Sequence, residues 1–148
     1  MKISLVIPLV PTAWTPSRVM RAGFAYNPKD KQKKASRAIV SSLYQGEIYK
    51  GPVSAQLFFY LPIPKATSKK KRVKMLGSEI LHTKKPDLDN CLKFFFDCIK
   101  GIIIYDDNQI THFYAYKRYS DNPRTEAEIY FDEEGNYEKR KYASCSEE

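Results

Sequence analysis

The 148-residue sequence has little that would place it in a membrane, outside the cell or around a zinc ion. No apolar run approaches the ~20 residues that a spanning helix needs. The N-terminus lacks the charged, apolar and small-residue succession of a secretion signal. Cysteine is scarce: there are three, Cys91, Cys98 and Cys145, without zinc-site spacing. Two of them lie in a strongly apolar segment that suits buried thiols, and the set fits a reduced, cytoplasmic protein of a bacterium or phage-infected host. Of two histidines, His112 stands in an alternating run with nothing nearby to complete a soft metal site. No internal repeat is present. Residues 132–148 are poor in apolar side chains and read as a polar tail to one domain spanning residues 1–131.

Positive charge, by contrast, is plentiful. Lys and Arg number 25 against 17 Asp and Glu, a net charge of +8 with a pI near 9.3. The tail holds six acidic and three basic residues, so +11 is left on residues 1–131 once its −3 is taken from the total of +8. A basic body favours a polyanionic partner through phosphate contacts and counterion release. Composition alone does not separate DNA from RNA or from an anionic membrane. Hydrophobic residues make up 43% and aromatics 14%, enough for a single core in a chain of this length.

Lys2–Ile7 is a β-rich run ended by Pro8. Residues 9–27 form a long loop carrying Trp14, Arg18, Arg21, Phe24 and Tyr26. Such a mixture can grip unstacked bases and backbone, or simply cover a core edge. Asn27-Pro28 reads as a helix start, with Asn as N-cap and Pro at the first helical position. The helix should run over 30–44 with Ala35, Ala38, Ile39 and Leu43 toward the core. Val53–Leu61 alternates as a strand, stopped by Pro62 and Pro64. Residues 65–85 are the most basic stretch, eight Lys or Arg against one Glu. Ser68 can cap a short helix there, ended by Gly77. Lys69, Lys70, Lys71, Arg72, Lys84 and Lys85 are the candidate DNA-binding residues. Gln109–Tyr119 and Thr125–Phe131 alternate as two further strands.

The centre of the sequence is HTKKPDLDNCLKFFFDCIKGIIIYDDNQI, residues 82–110. Asp87 or Asp89 can cap a helix that runs to Lys100 and ends on Gly101. Leu88, Leu92, Phe95, Phe96 and Ile99 share the core face. Asp89, Lys93, Asp97 and Lys100 share the opposite side, where a solvated Asp89–Lys93–Asp97 ladder is the plain reading. Cys91, Phe94 and Cys98 form a third, apolar stripe that a two-fold dimer contact would bury. Ile102–Tyr105 reads as a short buried strand, after which Asp106-Asp107-Asn108 supplies a turn. If that strand runs back along the helix, Asp87, Asp89 and Asp107 meet. Clustered carboxylates need a cation, and oxygen-only ligands suit Mg²⁺ or Mn²⁺. Asp106 is the alternative to Asp107, since strand neighbours point oppositely.

The segment from Lys85 to Ile110 resembles the signature of RusA-type Holliday-junction endonucleases. Their pattern is D-x-D-N, a Lys four residues after the second Asp, a further Asp, then D-D-x-Q. Here the matching residues are Asp87, Asp89, Asn90, Lys93, Asp97, Asp106, Asp107 and Gln109. The loop PLVPTAWTPSRVM departs from the P-P-S-x-N-like loop that members often carry. The resemblance implies Asp87, Asp89 and Asp107 as essential carboxylates and Lys93 as the active-site lysine. It also implies a homodimeric, Mg²⁺-dependent resolvase of four-way DNA junctions acting in recombination and repair. The fold expected is one α/β domain of α+β type, a mixed sheet with a long central helix on one face, in the order β–α–β–(short α)–α–β–β–β. Two other functions remain open: a nucleic-acid-binding module that never cleaves, and a metal-dependent nuclease for flaps, other branched DNA or RNA.

Overall fold

The computed structural model describes residues 1–132. In chain order the elements are β1 (Lys2–Ile7), a hairpin of β2 (Arg18–Val19) and β3 (Ala25–Tyr26), α1 (Asp30–Leu43), β4 (Val53–Pro62), α2 (Lys69–Leu76), α3 (Leu88–Ile99), a 3₁₀ turn (Asp107–Gln109), β5 (Ile110–Ser120) and β6 (Arg124–Phe131). The main sheet is mixed, in the order β1-β6-β4-β5. Strand β6 pairs antiparallel with both β1 and β4, while β4 and β5 are parallel. A parallel pair needs a long crossover, and α2 and α3 both lie in it.

Alternation along β4 sets the layers. Val53, Ala55, Leu57, Phe59 and Leu61 are buried on one face. Leu5 and Ile7 of β1, Ala127, Ile129 and Phe131 of β6, Val40 of α1 and Leu92, Phe95 and Ile99 of α3 complete this core. Each Val, Leu, Ile or Phe among them contributes about 1.5–3 kcal/mol by leaving water. Two helices share the covered face, and α3, with 12 residues, is shorter than α1, with 14. The other face presents Phe58, Tyr60 and Tyr116 in mutual ring contact. Arg124 stacks on Tyr60 at 3.9 Å and Arg118 on Tyr116 at 4.1 Å from the ring centroids. Helix α2 has a small core of its own, Met75 packing with Ile63 and Tyr119. Ser68 caps it by accepting from the Lys71 amide, and Gly77 ends it, both as expected.

Four expectations change. Asn27 does not cap α1: its Oδ1 accepts from the Lys29 amide at 2.8 Å, a local turn that delays the helix to Asp30. Helix α1 buries Ser36 and Val40, leaving Ala35, Ala38 and Leu43 exposed. Arg37 on the same helix reaches the end of α3, donating to the carbonyls of Asp97, Cys98 and Lys100. Its charge suits the negative pole of that helix.

Ile102–Tyr105 is not a strand. Gly101 takes φ +77°, and the amides of Ile102 and Ile103 both fold back to donate to the Ile99 carbonyl. Ile103 and Ile104 are fully buried in this turn, and Ile104 makes only isolated bridges, to Tyr49 and Lys100. Finally, the Cys91/Phe94/Cys98 stripe is covered within the same chain by Leu9–Pro11 and α1, so it offers no dimer contact.

The expected tail lies outside the described residues, apart from Asp132. That residue is buried, and its amide donates to the Pro52 carbonyl at 2.9 Å. Among the described residues no helix is long and apolar enough to cross a membrane.

Candidate active site

The head of α3 carries two carboxylates that form no ion pair among the described residues. Asp87 sits at the N-cap in extended conformation, yet its side chain makes no capping hydrogen bond. Asp89 follows in the first turn, and both are exposed. The expected Asp89–Lys93–Asp97 ladder does not form. Lys93 Nζ lies 5.0 Å from the centroid of the Trp14 ring, and Asp97 is taken by Lys33 at 3.8 Å. Among the described residues Asp87 and Asp89 therefore have no ion pair.

Two distant segments fix this helix head. The Trp14 amide donates to the Asn90 carbonyl at 2.9 Å, docking the N-terminal loop on the first turn. From β5, Lys117 Nζ donates to the carbonyls of Lys84 at 2.6 Å and Pro86 at 2.9 Å. Nothing local in the sequence marks Lys117 for this role, because it is one member of an alternating strand. A cleft of about 880 Å³ opens beside Asp87, lined among others by Trp14, Lys29, Lys31, Lys85 and Asn90.

The second acidic pair is built differently. Asp106 clips the 3₁₀ turn: its Oδ1 accepts from the Asp107 amide, and its own amide donates to Gln109 Oε1, both at 2.8 Å. Gln109 Nε2 then donates to the carbonyls of Tyr49 and Gly51 at 2.9 and 2.8 Å. Lys100 Nζ lies 2.7 Å from Asp106 and 4.0 Å from Asp107. The Lys100 hydrogen bond holds the Asp106 carboxyl below the ordinary carboxylate range. Hydrogen bonding to Asp106, and then burial, push Asp107 above it. Asp106 is thus committed to the turn, while Asp107 is the more exposed carboxylate, at 55% against 34% for the side chain.

The two pairs stand at opposite ends of α3. Asp87 caps the start of the helix, whereas Lys100, which caps its end, touches Asp106. Twelve helical residues span about 18 Å. Strand β5 gives the same answer, since Lys117 holds Pro86 while Asp107 precedes Ile110. Seven strand residues cover roughly 23 Å. Among the described residues no three His, Cys, Asp or Glu side chains gather closely enough to hold a metal ion.

The expected meeting of Asp87, Asp89 and Asp107 within one chain is therefore overturned. Ile102–Tyr105 turns in place instead of running back along the helix. The donor chemistry at the helix head still fits a hard cation, because Mg²⁺ is commonly held by one or two carboxylates with phosphate oxygens and water.

The basic stretch lies at the same end as Asp87. Helix α2 packs on Tyr119, and Arg72 forms an ion pair with Asp121, two and four residues beyond Lys117. His82 packs against Tyr119 with ring centroids 4.6 Å apart, and burial lowers its pKa. Lys69, Lys70, Lys71, Lys84 and Lys85 are exposed, whereas Arg72 is partly buried in its pair with Asp121.

The family model described as endodeoxyribonuclease RusA matches residues 8–130. The chain belongs to the RusA family. Membership makes it a nuclease-type hydrolase, and the matched span holds both acidic pairs, Lys93 and the whole of α2. The chain is also 38% identical over 104 residues to the uncharacterized protein YqaN of Bacillus subtilis (strain 168), covering 68% of this chain and 73% of that protein. The family match, over residues 8–130, extends well beyond the signature segment to include β4 and the loop bearing Trp14.

Proposed function

We propose that this RusA-family chain is a Mg²⁺-dependent endonuclease, also served by Mn²⁺, that resolves four-way (Holliday) DNA junctions as a cytoplasmic homodimer in recombination and repair. The observation that carries the reading is the exposed Asp87–Asp89 couple at the head of α3, unpaired among the described residues. It is flanked by a lysine-lined cleft and by α2 in a chain of an endodeoxyribonuclease family. Asp87 and Asp89 hold the cation. When bound, it supplies an acidified water and Lewis-acid stabilisation of the scissile phosphate. Lys93, one turn into the helix, neutralises charge developing on the phosphate oxygens. Lys84, Lys85 and α2 take the flanking phosphates.

Asp107 lies about a helix length away from the couple. It completes the carboxylate set only if a second copy of the chain delivers it. A homodimer of this kind has two composite sites related by a two-fold axis, which suits paired cuts across a nearly two-fold junction.

Mixing inactive variants tests this directly. Asp87→Asn and Asp107→Asn should each bind junction DNA and fail to cut it with Mg²⁺. Mixed dimers should regain one intact site out of two, and so nick a junction without resolving it. Sites confined to one chain would regain nothing. Full activity of either variant alone would remove the metal-site assignment. A wild-type protein that shifts junctions but never nicks them would be a binding module, and preferential cutting of flaps or RNA would reassign the substrate.

A further inference from the structure

The contact between Trp14 and Lys93 joins the N-terminal loop to the candidate chemistry. A lysine at Lys93 has two natural partners on its own helix, Asp89 four residues before it and Asp97 four residues after it. Pairing with Asp89 would neutralise a proposed cation ligand. Pairing with Asp97 would swing the ammonium a turn away from the helix head. Neither occurs: Asp97 is taken by Lys33, and the Lys93 ammonium sits over the indole ring at 5.0 Å.

We propose that Trp14 is the positioning residue for Lys93, a neutral π-face that holds the ammonium at the head of α3 without drawing on the charge of Asp89. Tryptophan is the strongest aromatic partner for a cation. It is also fixed in place. Its amide is bonded to the Asn90 carbonyl at 2.9 Å, and the carbonyl of the next residue, Thr15, accepts from Asn27 Nδ2 at 2.8 Å. The half-buried ring borders the cleft beside Asp87. The proposal rests on the reading of Lys93 as the residue that neutralises phosphate charge.

Trp14 is the single tryptophan in the chain, so tryptophan emission comes from this ring. Lys93→Met should alter the emission of the folded, DNA-free protein, because the ammonium leaves the ring. In single-turnover cleavage at saturating four-way junction with Mg²⁺, Trp14→Phe should stay within about threefold of wild type, since it keeps a π-face. Trp14→Leu should lose on the order of tenfold or more in rate, the scale of a misplaced catalytic group. Junction affinity measured in EDTA should stay the same. Adding Trp14→Leu to Lys93→Met should cost nothing further, because the two act through one ammonium.

Emission unchanged by Lys93→Met would overturn the contact. A Trp14→Leu variant that cuts at the wild-type rate when saturated but binds more weakly would make Trp14 a DNA contact and overturn the positioning role. Full-rate cleavage by Lys93→Met would sink the underlying role of Lys93, and the proposal with it, even if the emission change shows the contact to be present. If Trp14→Leu does not fold, the Trp14→Phe rate and the Lys93→Met emission still decide the matter.

Discussion

Helix α2 offers a quantitative test of where DNA lies. Lys69, Lys70 and Lys71 are exposed on its first turn, while Arg72 already has Asp121 as a partner. The perturbation is the triple change of these three lysines to glutamine. Gln and Lys have nearly equal helix propensity, and the anchor of α2, Met75, is untouched. If all three ammonium groups meet phosphate, each loss should flatten the slope of log affinity against log salt by about 0.9, giving a total of roughly 2.7. Over a fourfold rise in salt that amounts to about forty-fold in affinity. The triple variant should therefore bind far more weakly than wild type at low salt and approach it as salt rises. Including Arg72 would add a fourth contact only if it released Asp121, and it would disturb α2 as well. Fluorescence anisotropy of a labelled junction in metal-free buffer, at four or five salt concentrations, measures the slope. An unchanged slope would refute the placement of DNA along α2, whatever happened to absolute affinity. Lys84 and Lys85 stay out of the variant, because they sit within three residues of Asp87 and their loss would mix DNA binding with cation affinity.

Two further outcomes follow from the fold. Burial raises the thiols of Cys91 and Cys98 to about 11 from 9.0. Neither should react with Ellman's reagent at pH 8 in a Cys145→Ser background until the protein is denatured, and rapid native labelling would contradict their burial. The sign for stability is that of a raised pKa: the contribution is whole below about pH 9, the unfolded value, and is lost as pH climbs toward 11. Gln109→Ala removes the donor to the Gly51 carbonyl and the acceptor for the Asp106 amide, whereas the Tyr49 carbonyl keeps its bond from the Tyr105 amide. The cost should be about 1–3 kcal/mol, read as a lower urea midpoint at constant m-value. An unmoved midpoint would show that the 3₁₀ turn is held by something else.

The parts of the fold that were legible in the sequence are those written in local chemistry. The alternation of β4, the Ser68 cap and Gly77 stop of α2, and the apolar face of α3 are each determined by residues a few positions apart. The proposed site residues Asp87, Asp89, Asp107 and Lys93 come from a signature that is equally local. What escaped depends on distant partners. Ile102–Tyr105 looks like a strand because β-branched residues favour strands. A buried turn uses the same residues to fill a core, and only Gly101 and the Ile99 carbonyl distinguish the two. That single misreading moved Asp107 by the length of a helix. The Cys91/Phe94/Cys98 stripe reads as a surface for a second chain because the loop that covers it, Leu9–Pro11, lies some eighty residues earlier and carries no periodic signal.

The order of the sheet carries a consequence for how the protein comes into being. Strand β6 is made after every other strand in the sheet, yet it stands between β1 and β4, and β1 has no other partner in the sheet. A chain emerging from the ribosome therefore cannot join its first strand to the rest until β6 has followed. Lys117, which steadies the segment before Asp87, also arrives late, on β5. Loop closure over more than a hundred residues is slow relative to local pairing. The acidic couple at the head of α3 thus acquires its supporting frame only once the domain is nearly complete. A nascent or truncated chain ending before β6 would hold the carboxylates without the scaffold that presents them, so nicking activity should appear with the last strand rather than grow gradually with chain length.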